Sequence, residues 1–342
     1  MKHELKSIIA RLNPKSFGVD KISIGSFIKL GVGEGNMNYL FSIENRKFIC
    51  RVNIDKHMPE KTKNEFNSLK NIEGLGIAPK AYYYHYENRK IPYEFIILEY
   101  IQGKPFRMRK RRYTSKQIRQ IAQILARLHS EKCAGLHKQK YSYQHYLKQG
   151  LEYDKVINKY SDRLRNELKQ IHSNIRGILP KTEAHEFGLI HGDVCPQNII
   201  QTANGLKLID WESLQCSDPA KDVANVLTDL ELKDDDLALF LKQYHNIRRD
   251  ETILERAHIY SALFRYTYFL WEITRSFEII HKKLPKEYLS KTTAQRHINE
   301  ARFQYRKLSK LVKMPLIDAG LLFDREATRN TEQASTTHQS LI

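Results

Sequence analysis

Between Gly188 and Ser213 the chain reads GLIHGDVCPQNIIQTANGLKLIDWES, and four oxygen-bearing side chains in this stretch could work together: Asp193, Asn198, Asp210 and Glu212. Asp193 and Asn198 stand five apart after an apolar run, and Asp210 closes the next one. Ala203-Asn204-Gly205 supplies a turn between two apolar strands, which brings these side chains to adjacent strand ends. Such a set suits phosphoryl transfer, in which a carboxylate orients a hydroxyl and accepts its proton while oxygen ligands hold Mg2+ against the phosphates. His191 alone would read as a core histidine and Asp193 alone as a turn cap; the order and spacing of two motifs carry the reading.

Chemistry of this kind needs a frame upstream. From Ile22 to Ile101 the pattern is strand-like, in FIKLGVGEG, NYLFSIE, KFICRV, KAYYYHYE and EFIILEYI, with one helical stretch, Lys61 to Leu75. In KFICRV alternation places Lys47, Ile49 and Arg51 on one face and Phe48, Cys50 and Val52 on the other. Gly31, Gly33 and Gly35 lie between the first two strands, where a backbone can approach phosphates closely. Gln102-Gly103-Lys104-Pro105 breaks the pattern as a linker would. Beyond it, SKQIRQIAQILARLHS has helical spacing with Ser115 as its expected N-cap, and long helices are expected over Tyr143 to Ile178. The longest apolar stretch, Ile259 to Ile280, is interrupted by Arg265, Glu272 and Arg275, so it reads as a buried core helix rather than a membrane span.

The fold class expected is α+β. An N-terminal antiparallel sheet lobe with one helix occupies residues 1–101, a larger mainly helical lobe occupies 102–324 with a hinge at about 98–103, and the polar stretch 325–342 reads as a disordered tail.

HGDVCPQN and LIDWE resemble the catalytic loop and metal strand of the two-lobed protein-kinase-like fold, with HGD in place of HRD and DWE in place of DFG. In that form they are similar to the aminoglycoside phosphotransferase and choline kinase superfamily, whose pattern is H-G-D-x-x-x-x-N followed by I-D-[FW]-E. The resemblance runs from about Phe27 to Leu230, and the helix ending in L-x-x-L-H matches as well. It implies ATP and Mg2+ as cofactors, Asp193 as catalytic base, His191 as a brace for the loop, and Asn198 and Asp210 as metal ligands. It further implies Arg51 as the phosphate-pairing residue held by Glu65, with Glu60 or Glu73 as substitutes. Gly31, Gly33 and Gly35 would cover the phosphates, and backbone groups at Glu99 and Ile101 would meet the base. Asn36, in N-M-N-Y, departs from G-x-G-x-x-G and looks like the turn of choline-kinase-like members. An Asp at the Asp222 position would anchor the backbone of the catalytic loop, although helix capping explains Asp218 and Asp222 equally well. Glu212 is open between a second metal, the acceptor and a neighbouring basic side chain.

The acceptor stays unassigned. A small hydroxyl compound is expected, with choline, ethanolamine or a related amino alcohol as the alternative and an amine-bearing molecule drawn to Asp193, Asp210, Glu212 and Asp218. A nucleotide-binding regulator or a basic nucleic-acid-associated module is the reading from another class. The 342 residues hold 57 Lys and Arg against 39 Asp and Glu, a net +18, and Lys104 to Arg112 concentrates cations. A solvated face accounts for that run, and without a recognisable binding module nucleic acid is not expected as a partner. The tyrosines from Tyr141 to Tyr160, with Trp271 and Glu272, could line a site for a quaternary amine or simply pack helices. The charged N-terminus reads as a short amphipathic helix, not a signal peptide. Cys50, Cys133, Cys195 and Cys216 are far apart, indicating neither a zinc site nor a disulfide scaffold, and a reducing cytoplasm is expected.

Overall fold

A computed structural model describes residues 2–32, 36–54, 61–86, 94–106, 113–133, 142–162, 164–180, 186–232, 234–284 and 292–313. Gly33, Gly35, Glu60, residues 107–112 of the basic run and the stretch 325–342 lie outside them. The described residues fall into two compact units, one drawn from 1–138 and 187–250, the other from 139–186 and 251–342.

In the first unit an antiparallel sheet is built from β1 (Ile24–Val32), β2 (Asn36–Ile43), β3 (Arg46–Asn53), β4 (Ala81–His85) and β5 (Phe95–Glu99), in the order β1-β2-β3-β5-β4. Alternation decides its two faces. Tyr39, Phe41, Ile43, Phe48, Cys50 and Val52 turn into a core that also receives Leu5 and Ile9 of helix α1 (Lys2–Ile9). Ile49 and Arg51 consequently lie on the opposite face, and Arg51 sits between Asn38 of β2 and Ile96 of β5 in register. Helix α2 (Lys61–Asn71) is shorter than the expected stretch to Leu75, because Glu73–Leu75 tightens into a 3-10 turn that ends at Gly76 with φ 64°.

The expected linker at Gln102 to Pro105 carries a short strand, β6 (Lys104–Pro105), which pairs with β8 (Ile199–Thr202); β8 in turn pairs with β9 (Gly205–Leu208). Gly103 is required there, since a Cβ would lie 2.4 Å from the Gln201 carbonyl. Helix α3 (Ser115–Ser130) is capped by Thr114, not Ser115. Thr114 Oγ1 accepts from Gln117 N and the Gln117 side chain accepts from Thr114 N, a reciprocal capping box that satisfies two otherwise orphaned donors. β7 (Gly188–Ile190) pairs with β10 (Gln215–Ser217), and helices α6 (Ala220–Thr228) and α7 (Asp234–His245) complete the unit. Helix α6 begins and ends two residues earlier than its expected span of Asp222 to Leu230.

A disulfide joins Cys133, just past α3, to Cys216 on β10, with Cα atoms 5.5 Å apart. The expectation was of neither a zinc site nor a disulfide scaffold, and this single pairing departs from it. Spacing rules read neighbouring cysteines, and an 83-residue separation is visible only once α3 and β10 are folded. The pairing also removes the cysteine argument for a reducing compartment.

The second unit is helical: α4 (Ser142–Ile157), α5 (Leu164–Gly177), α8 (Ile253–Ile280) and α9 (Ala294–Leu311). As expected, α8 is a core helix, and its interrupting charges are satisfied within the unit: Arg265 donates to Gln304 at 2.7 Å and Glu272 pairs with His297. Tyr143 and Tyr260 are buried with ring centroids 4.7 Å apart, and Trp271 packs on His297, so these aromatics pack helices. Among the described residues no helix is long and apolar enough to cross a membrane.

Candidate active site

β7 delivers the chain into His191, Gly192 and Asp193, and this turn is held from below by Asp222 on the first turn of α6. Asp222 Oδ2 accepts the His191 N–H at 2.7 Å, and Oδ1 accepts the Gly192 N–H at 2.8 Å. His129, near the end of α3, brings its Nε2 to within 3.1 Å of Oδ2. Burial alone would raise the Asp222 carboxyl, but the His129 hydrogen bond and the Gly192 backbone donor leave it below the usual range and ionised. Gly192 has φ 83°, and a Cβ would lie 2.8 Å from the Ser213 carbonyl, so the turn admits only glycine.

His191 is fully buried, and its ring braces the same turn: Nδ1 accepts from Asp193 N at 3.2 Å, while Nε2 donates to the Ile209 carbonyl at 3.1 Å. Burial pushes this imidazole below its ordinary value, which leaves it neutral with one proton on Nε2. The Trp211 ring packs on the imidazole, with ring centroids 4.5 Å apart. Asn198 Nδ2 donates to both Asp193 Oδ2 at 2.7 Å and the Asp193 carbonyl at 3.0 Å, which fixes the Asp193 carboxylate and leaves Asn198 Oδ1 outside these bonds. Burial raises the Asp193 carboxyl above the usual aspartate range, in the direction of better proton affinity. Cys195, in the same loop, is pushed by burial to about 12, so it is a protonated thiol and no nucleophile.

Asp210 follows β9 in a left-handed conformation, φ 69°. Its Oδ1 accepts from Arg51 Nη2 at 2.7 Å, Glu212 Oε2 lies 3.4 Å from the same nitrogen, and Arg51 Nη1 donates to Glu65 Oε1 at 2.9 Å. Arg51 thus takes Glu65, as expected, while Glu73 is occupied by Lys70 and Lys80. Three carboxylates share one guanidinium. Burial, together with the charges of Asp210 and Glu212, outweighs the attraction of Arg51 and raises the Glu65 carboxyl to about 7.

A cavity of about 430 Å³ opens beside this cluster, lined by Arg51, Glu65 and Asp210 at one end and by Leu30, Ile49, Leu98, Ile200 and Ile209 elsewhere. Glu99, Tyr100 and Ile101 complete its wall. The Glu99 N–H donates to Lys80 and the Tyr100 N–H to Lys47, so neither the Glu99 carbonyl nor the Ile101 N–H is spent on these bonds. An apolar slot with two backbone groups at one edge and an arginine at its end has the chemistry to take a flat base and its phosphates. Gly31 pairs with Asn38 at the end of β1, and Asn36, buried, opens β2.

A model of the APH phosphotransferase enzyme family matches residues 26–260, more than two thirds of the chain and all of the site described above. The chain belongs to the phosphotransferase enzyme family. Solved structures share its fold: a protein from Ralstonia eutropha assigned as an aminoglycoside phosphotransferase is similar with 13% identity and TM-score 0.66, over 89% of this chain and 99% of that one. A choline kinase from Streptococcus pneumoniae matches with 20% identity and TM-score 0.59, over 90% and 99% of the two chains. A choline kinase from Cryptosporidium parvum matches with 16% identity and TM-score 0.62, over 94% and 98%. A search of curated proteins returned no match. This phosphotransferase therefore has the kinase-like fold expected of its motifs.

Among the described residues no three His, Cys, Asp or Glu side chains gather as a metal site by themselves. The donors nonetheless fit Mg2+, which binds through one or two protein oxygens and completes its shell with water and substrate phosphates. Asn198 Oδ1 and the Asp210 carboxylate are such oxygens, and three carboxylates around a single guanidinium leave negative charge for a cation to offset. Asp218 does not join them, since it is buried and its Oδ1 accepts from Ala220 N at 2.9 Å. The pocket-lining Leu30, Ile200 and Ile209 and the anchoring His129 escaped sequence reasoning; the only signals were strand alternation and the histidine that ends L-x-x-L-H.

Proposed function

We propose that the chain transfers the γ-phosphoryl group of ATP to a hydroxyl of a small molecule. The observation that carries this reading is the contact of Arg51 with Asp210, 159 residues apart in sequence, at the end of an apolar cavity. It joins the expected phosphate-pairing residue to the expected metal ligand in one site. Arg51, with Glu65 behind it, grips phosphate oxygens. Gly31, near the end of β1, helps to cover them, and the Glu99 carbonyl and Ile101 N–H fix the base. Asn198 and Asp210 hold Mg2+, which when bound supplies neutralising charge at the phosphates.

Asp193 orients the acceptor. Its carboxylate takes the hydroxyl proton as the new oxygen–phosphorus bond forms and the bond from γ-phosphorus to ADP breaks, and Asn198 keeps that carboxylate aimed. His191 stays neutral and holds the loop. The site is contained in residues 1–101 and a second lobe that begins after a hinge at 98–103.

An amino-alcohol acceptor is the second reading, supported by the choline kinases among the fold relatives and by carboxylates at Asp193, Asp210 and Glu212. The test is ADP release over a panel of cationic, neutral and anionic hydroxyl compounds, with and without Mg2+, at matched ionic strength. Saturable, Mg2+-dependent release with one class names the acceptor. Asp193→Ala should abolish that release while leaving nucleotide affinity near wild type, and Asp210→Ala should also remove the Mg2+ dependence of nucleotide binding. Nucleotide binding without turnover on any acceptor would favour a regulator.

A further inference from the structure

We infer that Tyr244, in the last turn of α7, and Arg248, just beyond that helix, are positioning residues of the phosphotransfer site that act on the Asp193 loop through His129 and Asp222. Neither touches the cavity. Tyr244 is fully buried, and its hydroxyl lies 2.8 Å from His129 Nδ1. His129 Nε2 meets Asp222 Oδ2 at 3.1 Å, and Asp222 holds the N–H groups of His191 and Gly192. Asp193 N in turn donates to His191 Nδ1. An unbroken line of hydrogen bonds therefore runs from α7 to the residue that orients the acceptor.

The line depends on how the His129 ring is turned. An ionised carboxylate only accepts, so Nε2 must present its proton to Asp222, and the ring has to face that way. A hydroxyl can complete Nδ1 in either protonation state, donating to a bare nitrogen or accepting from N–H. A phenyl ring can do neither. Without the hydroxyl, a buried Nδ1 loses this partner, and rotating the ring by half a turn would set a carbon against Asp222. Arg248 fixes the other end of the residue: its Nη1 donates to the His129 carbonyl at 2.7 Å. Gly188, where β7 begins, is packed so tightly on that carbonyl that a Cβ would lie 2.2 Å from it. Ring and backbone of His129 are thus set by α7 and by the turn that follows it, three residues of β7 away from the HGD turn.

The inference rests on the phosphotransfer reading for its kinetic arm only. Full-length protein labelled with ¹⁵N is compared as wild type, Tyr244→Phe, Arg248→Met, Arg248→Lys and Phe240→Leu, the last perturbing packing beside Tyr244 without touching the line. Tyr244→Phe should speed hydrogen exchange at the His191 and Gly192 amides by roughly tenfold. It should shift the His129 ring ¹⁵N resonances and lower kcat by roughly 3- to 30-fold with the nucleotide KM held within about twofold. Arg248→Met should repeat the exchange and kcat effects, and Arg248→Lys should recover part of both. Phe240→Leu should lower Tm alone. Unchanged exchange and ring resonances in Tyr244→Phe overturn the inference, as do equal changes in Phe240→Leu or a kcat that does not move. A wild type without turnover on any acceptor sinks the phosphotransfer reading, and the exchange and ring signals then still decide the link from α7 to the loop.

Discussion

Arg51 does two things that a lysine at its place could not do together: it bridges Glu65 with one terminal nitrogen and Asp210 and Glu212 with the other. On the proposed function, incoming phosphates would exchange for the Asp210 arm, because Glu65 is the more deeply buried partner. Arg51→Ala should therefore weaken ATP binding by roughly 10- to 100-fold, the value of lost charge-assisted bonds, and more than Glu65→Ala does. Calorimetric titration of both variants checks the order. Glu65 also predicts a pH dependence. Its carboxyl rises from 4.5 to about 7 on folding, so between those values the native state holds a proton that the unfolded chain has released. Its contribution to stability is complete below about pH 4.5 and is lost as pH climbs through 7, a difference of up to about 3 kcal/mol. Denaturant unfolding at pH 5, 6, 7 and 8 should show that decline in wild type and a flatter profile in Glu65→Gln.

At the scale of elements, much of the site was legible because strands and turns have short periods. Alternation in KFICRV alone put Arg51 on the face opposite Phe48 and Cys50, and the turn at Ala203 to Gly205 brought Asn198 and Asp210 to neighbouring strand ends, with Ile209 N bonded to the Asn198 carbonyl. Where chemistry depends on contacts between distant elements, sequence was silent: nothing local to Ile200 or Ile209 says that they line a cavity with Leu30, and nothing local to Cys133 points at Cys216. The α3 boundary shows a subtler loss. Thr114 and Ser115 are both good caps, and only the reciprocal bonds with Gln117 choose between them. Thr114→Ala should cost about 1 kcal/mol of stability, whereas Ser115→Ala should cost little, measurable as separate shifts in denaturation midpoint. Gly192→Ala belongs to the same scale. Left-handed backbone and a carbonyl 2.8 Å from the new Cβ leave it no comfortable geometry, so turnover should fall far more than nucleotide affinity.

For the whole molecule, the sheet, the cavity, the HGD turn and the helices that hold it all come from residues 1–138 and 187–250. The second unit contributes two separate lengths of chain, 139–186 and 251–342. The bond between Cys133 and Cys216 acquires its meaning here, for it closes a covalent ring around everything from 134 to 215, and the first of those two lengths lies wholly within that ring while the second hangs outside it. A ring spanning 83 positions removes freedom from the unfolded chain worth about 4 to 5 kcal/mol in the chain-entropy account. It also changes what a broken backbone means. A protease that cuts once inside the ring opens it without parting the molecule, so the digest should run as a single full-length band until a reductant is added and as two fragments afterwards, while a cut outside the ring yields two pieces in either gel.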